Sequence, residues 1–152
     1  MSKLIFCAWL FTLSVSCFAS QTAIEACKDT IKSYPQYRDH GPVKAYSSLF
    51  TDDAVFNVKQ LNIFSSGKKQ IEQRLIQALK IDNTRHVMGA INIYRHADGV
   101  YMAESDFSLT LTKRLNQNTP EIFITGIYKD ELFFDANQCL IKSRDVVIKT
   151  KT

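Results

Sequence analysis

"TRHVMGAINIYRHADG", residues 84–99, decides the fold, because here the apolar residues stop recurring at helical spacing and begin to alternate. His86, Met88, Ala90, Asn92 and Tyr94 share one face of the expected strand, and Val87, Gly89, Ile91 and Ile93 the other. Both faces carry apolar residues, so a strand covered on both sides is expected. A histidine and an asparagine on a covered face imply a cavity, since a buried imidazole requires partners for its ring nitrogens. A core histidine bonded to backbone satisfies the same requirement. The stretch alone leaves both readings open.

Downstream the period of two persists. Residues 85–95, 100–113, 121–134 and 139–149 read as strands, separated by Asp98-Gly99, by Asn116 to Pro120 and by Asp135-Ala136-Asn137. Upstream the pattern is helical. "TAIEACKDTIKSY", residues 22–34, spaces Ile24, Cys27 and Ile31 on one helix face, and Pro35 is expected to end or kink that helix near Tyr34. "DHGPVKAYSSLFTDDAVFNV", residues 39–58, reads as a turn at His40-Gly41-Pro42, a short helix burying Val43, Tyr46 and Phe50, and a strand from about Ala54 to Val58. "SSGKKQIEQRLIQALK", residues 65–80, reads as a third helix with Ser66 as N-cap and Ile71, Leu75, Ala78 and Leu79 inward. Helices first and long sequential strands later give an α+β class, with about three helices held in a twisted, curved, mixed or antiparallel sheet that encloses a pocket.

At 152 residues the chain fits one domain, and 45% hydrophobic with 22% charged residues suits a globular core. "MSKLIFCAWLFTLSVSCFAS" at the start carries a lysine, an apolar run from Leu4 to about Leu13 and then small residues. That is the order of a secretory signal, giving a leader over 1–20 and a domain over 21–152 in a secreted or periplasmic protein. The apolar run is too short for a membrane span. A lipid anchor at Cys17 is the weaker alternative, because Ser14 stands where an aliphatic residue is usual in a lipobox. Loss of the leader removes Cys7 and Cys17 and leaves Cys27 and Cys139 as a possible disulfide or as two buried thiols.

The formal net charge of +4 is a mild excess. Its lysines and arginines are scattered, without the basic run interleaved with aromatics that a nucleic-acid groove requires. No Gly-rich phosphate loop, Gly-x-Ser-x-Gly elbow or Cys-x-x-Cys motif occurs, and the three histidines lack a metal-ligand spacing, so no metal site is expected.

"YPQYRDHGPVKAYSSLFTDDAVF", "TRHVMGAINI" and "GIYKDELFFDANQCLIKSRDVVI" together resemble the SnoaL-like branch of the nuclear transport factor 2-like superfamily, over about residues 22–149. The resemblance implies a cone-shaped fold with a pocket at its wide end. In the dehydratase-like enzymes of the family an aspartate before the second helix and a histidine at the start of a strand act together, often with a preceding tyrosine. These positions fall on Asp39, His86 and Tyr34. Met88, Ala90, Asn92, Tyr46 and Phe50 are the expected pocket lining. Ala90 replaces the family's asparagine four residues after the histidine, and the arginine expected in a "Y-x-D-x-x-x-R" context is missing from "YKDELFFD".

The chemistry accounts for the residue types. A carboxylate that accepts the Nδ1 hydrogen fixes the imidazole tautomer and frees Nε2 to take a carbon-bound proton, with a tyrosine hydroxyl as donor to the substrate oxygen. Such a site requires no metal or organic cofactor. The resulting expectations are a cofactor-independent lyase or isomerase on a small apolar substrate, a non-catalytic module binding a hydrophobic ligand, or an accessory domain. A homodimer through the outer face of the sheet is also implied, with Ile122, Ile124, Val146 and Ile148 weighed as either its surface or core.

Overall fold

The computed structural model describes residues 12–96, 100–115, 118–136 and 138–152. Most of the expected leader, and parts of the turns expected at Asp98-Gly99, Asn116 and Asn137, lie outside the described residues. Helix α1 spans Thr12–Asp39 and α2 spans Val43–Ser47, followed by strand β1, Phe50–Val58, a 3₁₀ turn at Lys59–Leu61 and β2, Ile63–Ser66. Helix α3 covers Lys68–Ile81 and leads into β3, Asp82–Arg95, β4, Tyr101–Lys113, β5, Ile122–Asp135, and β6, Gln138–Lys151. The order across the sheet is β2-β1-β6-β5-β4-β3, antiparallel throughout except where β1 runs parallel to β6. The expected α+β class with three helices against a mixed sheet is thus observed.

The helix expected to end or kink near Tyr34 does not end there but runs on through Pro35 to Asp39. Proline removes one helical donor, yet the last turn closes with His40 N–H donating to the Gln36 carbonyl at 3.0 Å, and Arg38 in that turn is buried. Ser66 does not cap α3: it ends β2, and Gly67, at φ +84, stands at the cap. A left-handed φ of this kind favours glycine. The strand β2 was not anticipated; its four residues are too few to establish a period.

The inner face of the sheet and the helices share one core, built from Cys27, Ile31 and Tyr34 of α1, Tyr46 of α2, Leu75 of α3 and Leu132 of β5, among others. Cys27 and Cys139 form a disulfide with Cα atoms 4.8 Å apart, tying α1 to β6, and the Thr30 hydroxyl donates to the Cys139 carbonyl at 2.7 Å beside it. Register shifts between Phe50 and Val55, Met88 and Ile91, Thr125 and Gly126, and Glu131 and Leu132 break the ladders. Bulges of this kind bend strands and increase their twist.

Candidate functional site

Asp39 closes α1, while Thr84 and His86, two residues apart, share the inward face of β3. Helix end and strand meet there. His86 N–H donates to Asp39 Oδ2 at 2.6 Å, and His86 Nδ1 lies 2.6 Å from Asp39 Oδ1. The Thr84 hydroxyl donates to the same Oδ1 at 2.7 Å, and Arg38 Nη1 donates to Thr84 Oγ1 at 3.3 Å. The side chains of Asp39 and His86 are each 4% exposed, so the pair is shielded from bulk water.

Burial opposes the charge on Asp39, but the hydrogen bonds and charge of His86 and the Thr84 hydroxyl outweigh it and hold the carboxyl below its ordinary range. Burial likewise dominates at His86 and holds the imidazole below 6.5 against the pull of Asp39, with Arg38 and Arg144 pushing in the same direction as burial. An ionised Asp39 beside a neutral His86 makes Nδ1 the protonated nitrogen. Nε2, unbonded among the described residues, is then a basic lone pair.

His86 and Tyr34 line a cavity of about 90 Å³. Its walls are largely apolar, including Phe56, Val58, Phe107, Leu109 and Ile124, and Arg38 and Arg74 are its charged members beside His86. The Tyr34 ring stands edge-on to His86 with centroids 5.9 Å apart, and packs on Tyr46 at 5.6 Å and Phe50 at 6.5 Å. Behind Tyr34, the Arg144 guanidinium lies 4.0 Å from its ring centroid and 4.2 Å from that of Tyr128. Arg144 donates to both oxygens of Asp130 at 2.7 Å, both side chains are fully buried, and Nη1 has no acceptor. Burial opposes the Arg144 charge, but Asp130 more than offsets it, so the guanidinium stays cationic. Burial foremost, with Tyr34 alongside, pushes the Tyr46 and Tyr128 hydroxyls above the usual range, so both stay protonated.

Several of the expected lining residues sit elsewhere. The register shift between Met88 and Ile91 inverts the alternation of β3, so Ala90 and Asn92 are exposed and Ile91 and Ile93 turn inward instead. Met88 packs partly buried on the core, and Tyr46 and Phe50 are fully buried behind Tyr34; none of the three lines the cavity. Of the four positions weighed as either outer surface or core, Ile124, Val146 and Ile148 line the cavity and Ile122 packs on the core. His40 and His96 are exposed.

Three participants escaped the sequence reading: Thr84, Arg38 and the Asp130–Arg144 pair. Thr84 and Arg38 are each next to, or two residues from, a residue that was picked out, and β3 alternation places Thr84 beside His86. The arginine missing from "YKDELFFD" is supplied one strand later, where the antiparallel register sets Arg144 opposite Asp130. Among the described residues no group of three or more His, Cys, Asp or Glu side chains is placed to hold a metal ion, and no helix is long and apolar enough to cross a membrane.

Residues 19–145 match the family model of the SnoaL-like domain. No curated protein matches the chain at a significant level. Among solved structures, a scytalone dehydratase-like protein from Novosphingobium aromaticivorans superposes with a TM-score of 0.76 at 17% identity, over 91% of this chain and 90% of its own. Hexachlorocyclohexane dehydrochlorinase LinA-type3 from Novosphingobium barchaimii gives 0.74 at 13% identity over 91% and 92%. ActVI-ORFA from Streptomyces coelicolor gives 0.62 at 16% over 83% and 96%. At such identities these likenesses establish the fold, the cone of nuclear transport factor 2-like proteins.

Proposed function

The chain belongs to the SnoaL-like domain family, and on that footing we propose that it is a cofactor-independent lyase or isomerase that removes a carbon-bound proton from a small, largely apolar substrate. The observation that carries this reading is the doubly hydrogen-bonded Asp39–His86 pair at the wall of an apolar cavity. His86 Nε2 takes the proton, and Asp39 holds the tautomer and stabilises the imidazolium that forms. Tyr34, whose ring stands beside His86, donates its hydroxyl to the substrate oxygen on which charge develops. Arg144, cationic behind Tyr34, favours that charge through the ring it covers. Loss of a β-leaving group completes an elimination, and return of the proton to another carbon completes an isomerisation.

Export belongs to the same reading: a Cys27–Cys139 disulfide persists in an oxidising compartment. The reading is tested by solvent deuterium incorporation into a panel of small ketones and β-hydroxy carbonyl compounds, followed by NMR. Exchange at the carbon next to the carbonyl is expected with the wild type and absent with His86→Gln. Exchange that survives in His86→Gln contradicts the assignment of the base.

A further inference from the structure

The cavity holds two cations that meet no carboxylate among the described residues. Lys44, Lys68, Lys113, Lys129, Lys142 and Lys149 each meet a carboxylate on the surface, and the buried Arg144 meets Asp130. Arg38 and Arg74, the two arginines that line the cavity, form no ion pair among the described residues. Arg38 is 9% exposed, yet its one side-chain hydrogen bond among the described residues is the 3.3 Å contact to Thr84. Arg74, half-buried on α3, lies with Cζ 4.5 Å from the Phe56 ring centroid, and it also borders a surface depression with Gln70, Gln73 and Gln77. It therefore stands where the cavity meets the outside. Among the described residues no aspartate or glutamate lines the cavity.

Removing a guanidinium from water is costly unless an anion meets it, and its planar fork matches a carboxylate with two parallel hydrogen bonds. Cavity size sets the rest of the ligand. A dry cavity of about 150 Å³ accommodates benzene, so the 90 Å³ here accepts a small apolar group and leaves a polar head at the mouth. We propose that the ligand of this site is a small apolar carboxylate, its hydrocarbon part in the cavity against His86 and its carboxylate held by Arg74 and Arg38. This names the substrate class for the reading above and rests on it, while binding and turnover are measured separately so that either can fail alone. The carboxylate also brings negative charge toward His86, countering the field of Arg38 and strengthening the base once substrate is bound.

The test is isothermal titration of the full chain with butyrate, crotonate and benzoate, each against its primary amide, for wild type, Arg74→Gln, Arg38→Gln and His86→Gln. At least one acid is expected to bind roughly 10-fold or more tightly than its amide. Arg74→Gln erases that preference, while His86→Gln retains it. Arg74 is half-buried, so its glutamine variant keeps a folded protein even where Arg38→Gln, which also loses the Thr84 contact, does not; thermal unfolding of each variant checks this. Equal binding of acids and amides, no binding of any acid, or an unchanged preference in Arg74→Gln overturns the proposal. Acid binding that depends on Arg74, with no deuterium exchange into any compound of the carbonyl panel, supports the carboxylate class and overturns the catalytic reading alone.

Discussion

At the scale of single residues, Asp39 does two separable jobs: it pins the backbone of β3 through the His86 N–H and it orients the imidazole through Nδ1. Asp39→Asn keeps the size but removes the charge that selects the tautomer. It is expected to lower turnover of a substrate, once one is in hand, by about 10²–10⁴-fold, the range of positioned proton transfer. Steady-state kinetics beside circular dichroism of the folded variant checks this. The pH dependence has a definite sign. His86 acts as a base only when neutral and its pKa is held below 6.5, so kcat/KM is expected to stay high as pH falls to 6.5 and to decline only below it. Stability moves the same way. The unfolded chain takes up the histidine proton first, so stability is complete above about pH 6.5 and is lost as pH falls toward the folded value, with Asp39 adding loss of the same sign below 3.8. Denaturant titrations across that range measure it. His86, Asp39 and Tyr34 were legible in the sequence because a family pattern spans distant positions that periodicity cannot connect. Ala90 and Asn92 were misplaced because a bulge leaves no mark in hydrophobic alternation.

At the scale of elements, the inner face of the sheet is fixed by close approaches and by one buried ion pair. A Cβ on Gly126 would collide with the Val147 carbonyl and the Phe107 ring, both held by sheet and core. Gly126→Ala is therefore expected to destabilise by about 1–3 kcal/mol, the usual result of overpacking, read as a lower denaturation midpoint. The Arg144–Asp130 pair joins neighbouring strands β6 and β5 with both side chains fully buried. Arg144→Met leaves Asp130 charged and unpaired and is expected to cost about 3–5 kcal/mol, whereas Arg144→Met with Asp130→Leu recovers much of that loss. Urea unfolding of the two variants separates an uncompensated charge from lost packing. The strands β3 to β6 were readable almost to their ends, because long runs of alternation outweigh local exceptions. The end of α1 was not, because the contacts that carry it past Pro35 come from β3, about 45 residues away in sequence.

At the scale of the whole molecule, the disulfide closes a loop of 112 residues between the first helix and the last strand. Chain-entropy reasoning assigns a link of that span about 5 kcal/mol. Reduction, or Cys27→Ser with Cys139→Ser, is expected to lower Tm by roughly 10–20 °C for a domain of this size. A calorimetric scan with and without reductant measures it. The sequence alone left bridge and free thiols open, since nothing local brings residue 27 to residue 139; only the return of β6 beneath α1 does so. The same closure gathers the site, bringing Tyr34 and Asp39 from the helix, His86 from β3 and Arg144 from β6 around one cavity wall.

The central claim, that His86 is a neutral imidazole with its hydrogen on Nδ1 and a free basic Nε2, is tested most directly by nitrogen-detected NMR titration of the histidine rings, with His86 assigned by its loss in His86→Gln. The Nδ1–H tautomer is expected at neutral pH, with protonation only below pH 6.5. An Nε2–H tautomer, or protonation above pH 6.5, would contradict it.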